Sequence, residues 1–271
     1  MRPSQVRKPK LVAFDLDGTL LNSRHGLSER TSRAVRRLGA SGVRMVLVSG
    51  RMHVAMRPWA QRLGIREPLI SYNGALVKGA EGEEVLYHLP VPREMAVEVV
   101  EYAVHHRLHF NLYFEDVWYV PQEGPWTRLY AERTGVRPVI VPRLGEWVTH
   151  RSPTKIILID QPDTVERLHR EWLQRAQGRL YITTSEPEYL EFLHPKVSKG
   201  AALQRVCAML GVDCVEAAAF GDGRNDRSLL EAVGYGVAMA NAHPDTKAVA
   251  DYITATNDED GVALVVEKWL E

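Results

Sequence analysis

Leu11-Val12-Ala13-Phe14 is an apolar run with no polar alternation, and it stops abruptly in Asp15-Leu16-Asp17-Gly18-Thr19. An unbroken apolar strand suits a place buried on both faces of a parallel sheet, although so short a run also fits a buried helical segment. Open α/β sheets bind ligands beyond the carboxyl ends of their strands, so two carboxylates, a glycine and a hydroxyl at such an end mark a place for chemistry. Gly18 lets the chain turn at once. A calcium loop numbered from Asp15 would need a bidentate Glu where Gly26 stands, which removes that reading.

The rest of the chain repeats the theme. Ser28 is placed to N-cap a helix carrying Ala34, Val35 and Leu38, the crossover a parallel sheet requires. Met45 to Val48 is a second apolar run, ending in Ser49-Gly50-Arg51. A helix over Val54 to Leu63, kinked or divided at Pro58, leads to Leu69-Ile70-Ser71 and the turn Asn73-Gly74. Ala75 to Val77 and Val85 to Tyr87 then read as a hairpin. Between there and Leu193 the pattern is mixed: helices over Glu94 to His106, Trp126 to Arg133 and Val165 to Ala176, strands over Phe110 to Phe114, Val117 to Val120 and Ile156 to Ile159, and a hairpin of Leu180 to Thr183 with Tyr189 to Leu193. The core pattern resumes with Ser198 capping a helix from Lys199 to Gly211. An apolar strand, Val215 to Phe220, stops in Gly221-Asp222-Gly223-Arg224-Asn225-Asp226, and a helix with Leu229 and Leu230 follows. Val237 to Met239, a short helix after Pro244, Tyr252-Ile253 and a helix from Asp260 end the chain.

This order implies an α/β protein: a doubly wound, Rossmann-like parallel-sheet core at residues 1–83 and 194–271, with an inserted α/β cap at 84–193. A length of 271 residues allows two modest domains, and a hydrophobic share of 45% with 25% charged residues is that of an ordinary globular chain. The 34 basic and 34 acidic residues cancel, so no general attraction to nucleic acid or to an anionic membrane is expected, and the basic start (Arg2, Arg7, Lys8, Lys10) reads as a solvated tail. No run of about 18 apolar residues and no secretion signal is visible, which points to the cytoplasm. Cys207 falls in an apolar helical pattern and Cys214 just beyond it, as expected of reduced, buried thiols.

The polar breaks at Asp15–Thr19, Ser49-Gly50, Lys199 and Asp222–Asp226 together hold the parts of a phosphoryl-transfer site. A phosphate ester repels an attacking anion, so a nucleophilic carboxylate works only beside a divalent metal and a fixed cation. Asp15 and Asp222 offer hard oxygen ligands for Mg²⁺. Lys199 offsets the charge of phosphate and nucleophile, while Ser49 and nearby backbone N–H groups suit the nonbridging oxygens. Asp-x-Asp-Gly-Thr-Leu, Ser-Gly, Lys199 and Gly-Asp-Gly-x-Asn-Asp, in this order, resemble the four motifs of the haloacid dehalogenase superfamily. The large insertion between Ser49 and Lys199 resembles its Cof-type subgroup of sugar-phosphate phosphatases. The likeness extends to Val197–Gly200, Val237–Ala242 and Asn257–Gly261, and so spans the chain.

The resemblance implies that Asp15 attacks phosphorus to give an aspartyl-phosphate. Asp17 then protonates the leaving alkoxide and later deprotonates the hydrolytic water, a role that calls for partial burial near other carboxylates. It implies that Asp15, the backbone carbonyl of Asp17 and Asp222 ligate Mg²⁺ with Asp226 holding the metal shell, and that Leu16 through its backbone, Ser49, Gly50, Lys199 and Asn225 contact phosphate. Arg227, Leu229 and Ser49 depart from the commoner residues, with Arg227 a candidate to alter the surroundings of the metal. The expected substrate is a small phosphorylated metabolite, a sugar phosphate or related monoester. A phosphomutase or a more specialised sugar-phosphate phosphatase on the same scaffold, and a noncatalytic phosphometabolite-binding protein, are the alternatives. Oligomeric state is not legible. Within the insertion, Tyr113, Phe114, Trp118, Tyr119 and Trp126 read as core, His105, His106 and His109 as surface residues, and Glu186, Glu188 and Glu191 as solvated charges.

Overall fold

The computed structural model describes residues 8–82 and 84–271. Arg2 and Arg7 of the basic start lie outside them, as does Glu83 at the expected domain boundary. By internal packing the chain forms two compact units, one of the residues up to Tyr87 together with Ser198–Glu271, the other of His88–Val197.

The first unit is built on a five-stranded parallel sheet ordered Tyr252–Ile253, Tyr235–Ala238, Ala217–Gly221, Leu11–Phe14, Arg44–Leu47. Leu11–Phe14 is flanked on both sides, and none of its four side chains is exposed. Its want of polar alternation follows from that position, since both faces are covered and each buried aliphatic or aromatic side chain contributes roughly 1.5–3 kcal/mol. Helix Glu29–Ala40 starts where Ser28 accepts a hydrogen bond from the Thr31 N–H at 3.0 Å, and buries Ala34, Val35 and Leu38. Ser198 likewise caps Lys199–Met209 through the Ala201 N–H at 3.3 Å. Pro58 sits inside helix His53–Leu63 without dividing it. The strand expected from Val215 begins two residues later, because Asp213 accepts from the Val215 N–H at 3.1 Å and closes a 3-10 turn over Cys214–Glu216. Val215 is consequently 68% exposed, which its apolar character does not reveal. Leu69–Ser71, Leu76–Lys78 and Val85–His88 form a three-stranded sheet, so the expected hairpin has a further strand beside it. Cys207 is buried, Cys214 half-buried, and both are free thiols.

The second unit carries a six-stranded sheet ordered Tyr181–Glu186, Tyr189–Leu193, Lys155–Ile159, His109–Phe114, Val117–Val120, Val139–Ile140. Its pairs are antiparallel except the last, where Val139–Ile140 runs parallel to Tyr119-Val120. Phe110, Leu112, Ile156, Leu158, Leu190 and Phe192 share one apolar cluster with side chains of helices Arg93–His105 and Pro162–Ala176. In that alternating register, residues of odd number on the central strands belong to the opposite face. Tyr113 and Trp118 are buried there with Tyr130, whose ring centroid lies 4.6 Å from that of Trp118. Glu191 does not behave as a solvated charge. It is buried and accepts from Lys155 Nζ at 3.1 Å and from Ser185 Oγ at 2.6 Å. Glu186 is exposed, and Glu188 pairs with Arg133 at 3.1 Å. His105 and His106 are exposed, while His109 is half-buried beside Asn111. No helix among the described residues is long and apolar enough to cross a membrane.

Candidate active site

The parallel ladder delivers Asp15. Its N–H donates to the Phe220 carbonyl at 3.1 Å, one step past the end of Leu11–Phe14, and the chain then folds back so that the Leu16 carbonyl accepts from Leu21 N–H at 2.8 Å. The Leu16 side chain is buried, which leaves only its backbone at this turn. Gly18 lies at φ +77°, where a Cβ would collide with the Asp222 carboxylate. Glycine is therefore required there both by conformation and by space. Thr19 Oγ1 donates to Asp222 Oδ1 at 2.7 Å, fixing the second acid loop against the first.

Lys199, first residue of its helix and 2% exposed, donates to Asp15 Oδ1 at 2.7 Å and to Asp226 Oδ1 at 2.6 Å. Asp226 Oδ2 accepts from the N–H groups of Asp222 (3.0 Å) and Gly223 (2.8 Å), so this one carboxylate ties the lysine to the loop. Oδ2 of Asp15 carries no hydrogen bond among the described residues. Burial pushes Asp15 well above the usual carboxyl range, helped by Asp226 and Asp222 and opposed by Lys199. Asp222 is pushed up to about 6, by burial first and then by Asp226. For Lys199 burial acts downward, but Asp15 and Asp226 together outweigh it and hold the ammonium above its ordinary range.

Asp15, Asp222 and Asp226 each present a carboxylate oxygen within 4.8 Å of the others. This donor set is all hard oxygen, without histidine or cysteine. Counting Asp17, four carboxyl groups meet two cations, Lys199 and Arg51, among the described residues, and the excess of acid is what raises the proton affinity of Asp15 and Asp222 beyond the effect of burial. A hard divalent cation fits both the donors and the charge. Asp226 has both oxygens engaged by nitrogen donors, which suits it to anchoring the loop.

Ser49 is buried, and its Oγ accepts from the Arg51 N–H at 3.2 Å. Asn73, held at φ +58°, donates its N–H to the Ser49 carbonyl at 3.0 Å and accepts from Asn225 Nδ2 at 2.8 Å. It thereby links Ser49-Gly50 to Asn225, and a Cβ on Gly50 would lie 3.1 Å from Asn73 Oδ1. Asn241 Nδ2 donates to the Gly18 carbonyl and Asn257 Nδ2 to that of Leu21, both at 2.8 Å, and the His243 N–H reaches the Asp222 carbonyl at the same distance. The segments around 237–242 and 257 thus brace the acid loops.

Asp17 is half-buried, its side chain 42% exposed, and it is gripped by Arg51, Nε to Oδ2 at 2.7 Å and Nη2 to Oδ1 at 2.6 Å, with His25 Nδ1 at 3.6 Å. One expectation needs correction. Arg227 is exposed and pairs with Glu231 at 3.0 Å on its own helix, which gives it no part behind the acid cluster. Arg51 and Asn73 are absent from the set derived from sequence. The signal available was their adjacency to the polar strand ends, Arg51 directly after Ser49-Gly50.

Residues 12–266 match the family of haloacid dehalogenase-like hydrolases. The chain is 30% identical to the phosphatase YwpJ of Bacillus subtilis over 286 residues, covering 96% of this chain and all of that one. Its fold is similar to that of a solved Thermotoga maritima protein, with a TM-score of 0.86, 33% identity, and 96% and 97% of the two chains covered. A solved sugar phosphatase of the same superfamily's subclass IIB gives a TM-score of 0.81 at 25% identity, over 95% of this chain and 98% of its own.

Proposed function

The chain belongs to the haloacid dehalogenase-like hydrolases, and on that footing we propose that it is a Mg²⁺-dependent phosphatase of small phosphorylated metabolites, sugar phosphates or related monoesters. One observation carries the reading: a buried lysine shared between Asp15 and Asp226, beside a three-carboxylate cluster at the ends of parallel strands. Asp15, Asp222 and the carbonyl of Asp17 would hold the metal, with Asp226 anchoring them. Bound there, Mg²⁺ supplies positive charge for the phosphoryl oxygens and lowers the affinity of Asp15 and Asp222 for protons.

The chain's own residues account for the rest. Oδ2 of Asp15 attacks phosphorus, the bond from phosphorus to the ester oxygen breaks, and Asp17 gives its proton to that oxygen. Asp17 then takes a proton from water as the water oxygen attacks the aspartyl-phosphate, returning Asp15 and releasing phosphate. Lys199 offsets charge on Asp15 and phosphate throughout, while Ser49, Gly50, the Leu16 backbone and Asn225 hold the nonbridging oxygens. We assign substrate selection to the second unit, the segment inserted between Ser49 and Lys199.

The test is phosphate release from a panel of phosphorylated sugars, nucleotides, cofactors and an aryl phosphate, with Mg²⁺ or EDTA, beside Asp15→Asn. Release that requires the metal and vanishes in the variant is the expected result. Release that persists both in EDTA and in Asp15→Asn would overturn the assignment of the nucleophile.

A further inference from the structure

Both oxygens of Asp17 are occupied by the fork of Arg51, yet an acid and base must offer an oxygen to the leaving group and to water. Arg51 is also built into the phosphate side of the site through its backbone. Its N–H donates to Ser49 Oγ at 3.2 Å and its carbonyl accepts from Tyr72 N–H at 3.0 Å, so the Arg51 backbone is fixed beside the expected phosphate ligands while the side chain, 22% exposed, is the part able to pivot. A guanidinium fork matches a phosphate as well as a carboxylate.

The two cations of the site are held unequally. Lys199 spans two carboxylates that are almost fully buried, whereas Arg51 grips one whose side chain is 42% exposed and screened by water. Water reaches the Asp17 carboxylate and can solvate it once the fork lets go, whereas little water reaches the partners of Lys199, so Arg51 is the cation that an arriving dianion can draw away. Resting on the phosphatase reading, we infer that Arg51 is a positioning residue that alternates between two anions, the Asp17 carboxylate and the nonbridging oxygens of a phosphate ester. Phosphate binding thereby releases Asp17 for proton transfer at the moment a substrate is present.

Competition for one guanidinium is measurable without turnover. Inorganic phosphate is titrated calorimetrically, in Mg²⁺, into the wild type, Asp17→Asn, Arg51→Ala and the double variant. Removing Asp17 should tighten phosphate about tenfold, since Arg51 loses its competing partner, and less than about threefold when Arg51 is already absent, since only general charge repulsion is then relieved. Arg51→Lys keeps the charge and loses the fork, and it should resemble Arg51→Ala in this comparison. Equal tightening in the presence and absence of Arg51, or no tightening at all, would overturn the switch while leaving the phosphatase reading intact. Phosphate binding by none of the proteins would overturn both.

Discussion

Replacing Asp222 with Asn should make the metal-free protein more stable at pH 7.5. The ordinary carboxyl value is 3.8 and the folded environment raises Asp222 to about 6, through burial and then the neighbouring Asp226. A raised value means that the folded state binds the proton more tightly than the unfolded one, so the associated stability is fully present below 3.8 and is lost as pH rises through about 6. A shift of that size corresponds to about 3 kcal/mol, reduced to about 2 kcal/mol because Asp222 is only partly enclosed and water screens its charge. Asparagine carries no charge and keeps an oxygen to accept from Thr19, so it should recover that amount. At roughly 2–4 °C per kcal/mol, melting in EDTA at pH 7.5 should rise by roughly 4–8 °C. At pH 4 the two proteins should melt within about 2 °C of each other, since wild-type Asp222 is then mostly protonated. Mg²⁺ at one hundred times its dissociation constant should stabilise the wild type by about 2.7 kcal/mol and the variant by far less. Differential scanning calorimetry over this grid of pH and metal is the assay. A variant no more stable than wild type in EDTA at pH 7.5, or equally favoured at pH 4, would refute the view that burial and the neighbouring Asp226 hold Asp222 where its charge is disfavoured.

Lys199→Met leaves Asp15 and Asp226 buried without their cation, and removal of one partner from a buried pair costs about 3–5 kcal/mol; calorimetry should record the loss, and a melt within 1 kcal/mol of wild type would argue against the shared ion pair. Gly18→Ala forces a side chain to φ +77° and into the Asp222 carboxylate, at a conformational cost of about 1–2 kcal/mol before any clash is counted. Its expected signature is at least tenfold weaker Mg²⁺ binding by isothermal titration, and unchanged binding would count against that close approach. In the second unit, Glu191→Gln should cost about 3 kcal/mol by removing the charge that faces the buried Lys155, while Lys155→Met combined with Glu191→Leu should restore most of it; chemical denaturation of all three proteins tells a structural ion pair from a bystander.

Much of this arrangement is legible in the residues because it depends on local pattern. Leu11–Phe14 announces a central strand by what it lacks, and Gly18 and Ser198 announce a turn and a helix cap by chemistry that acts within a few residues. Lys199 is legible only in company, since a lone lysine at a helix start is ordinarily solvated and it is the order and spacing of the four polar breaks that single it out. The misses are of another kind. Nothing near Asp17 in sequence says that Arg51, 34 residues on, will take both its oxygens, and nothing near Glu191 points to Lys155. Such pairs are set by sheet register and loop closure. Val139–Ile140 escapes for a similar reason: two residues are too few for a periodicity, and only their parallel pairing with Tyr119-Val120 makes them a strand.

The position of Leu11–Phe14 also dictates when the enzyme comes into being. One neighbour of that strand, Arg44–Leu47, follows it closely, but the other, Ala217–Gly221, is translated some 200 residues later. At about 10 residues per second the strand that bears Asp15 has one edge unpaired for roughly 20 s on the ribosome. His88–Val197 is by contrast continuous, with its own sheet and apolar cluster, and can mature while the first unit waits. A nascent chain therefore carries Asp15 some 200 residues before it gains Asp222, Asp226 and the partner edge together. The half-made sheet, with its open edge, is what a chaperone would have to shield.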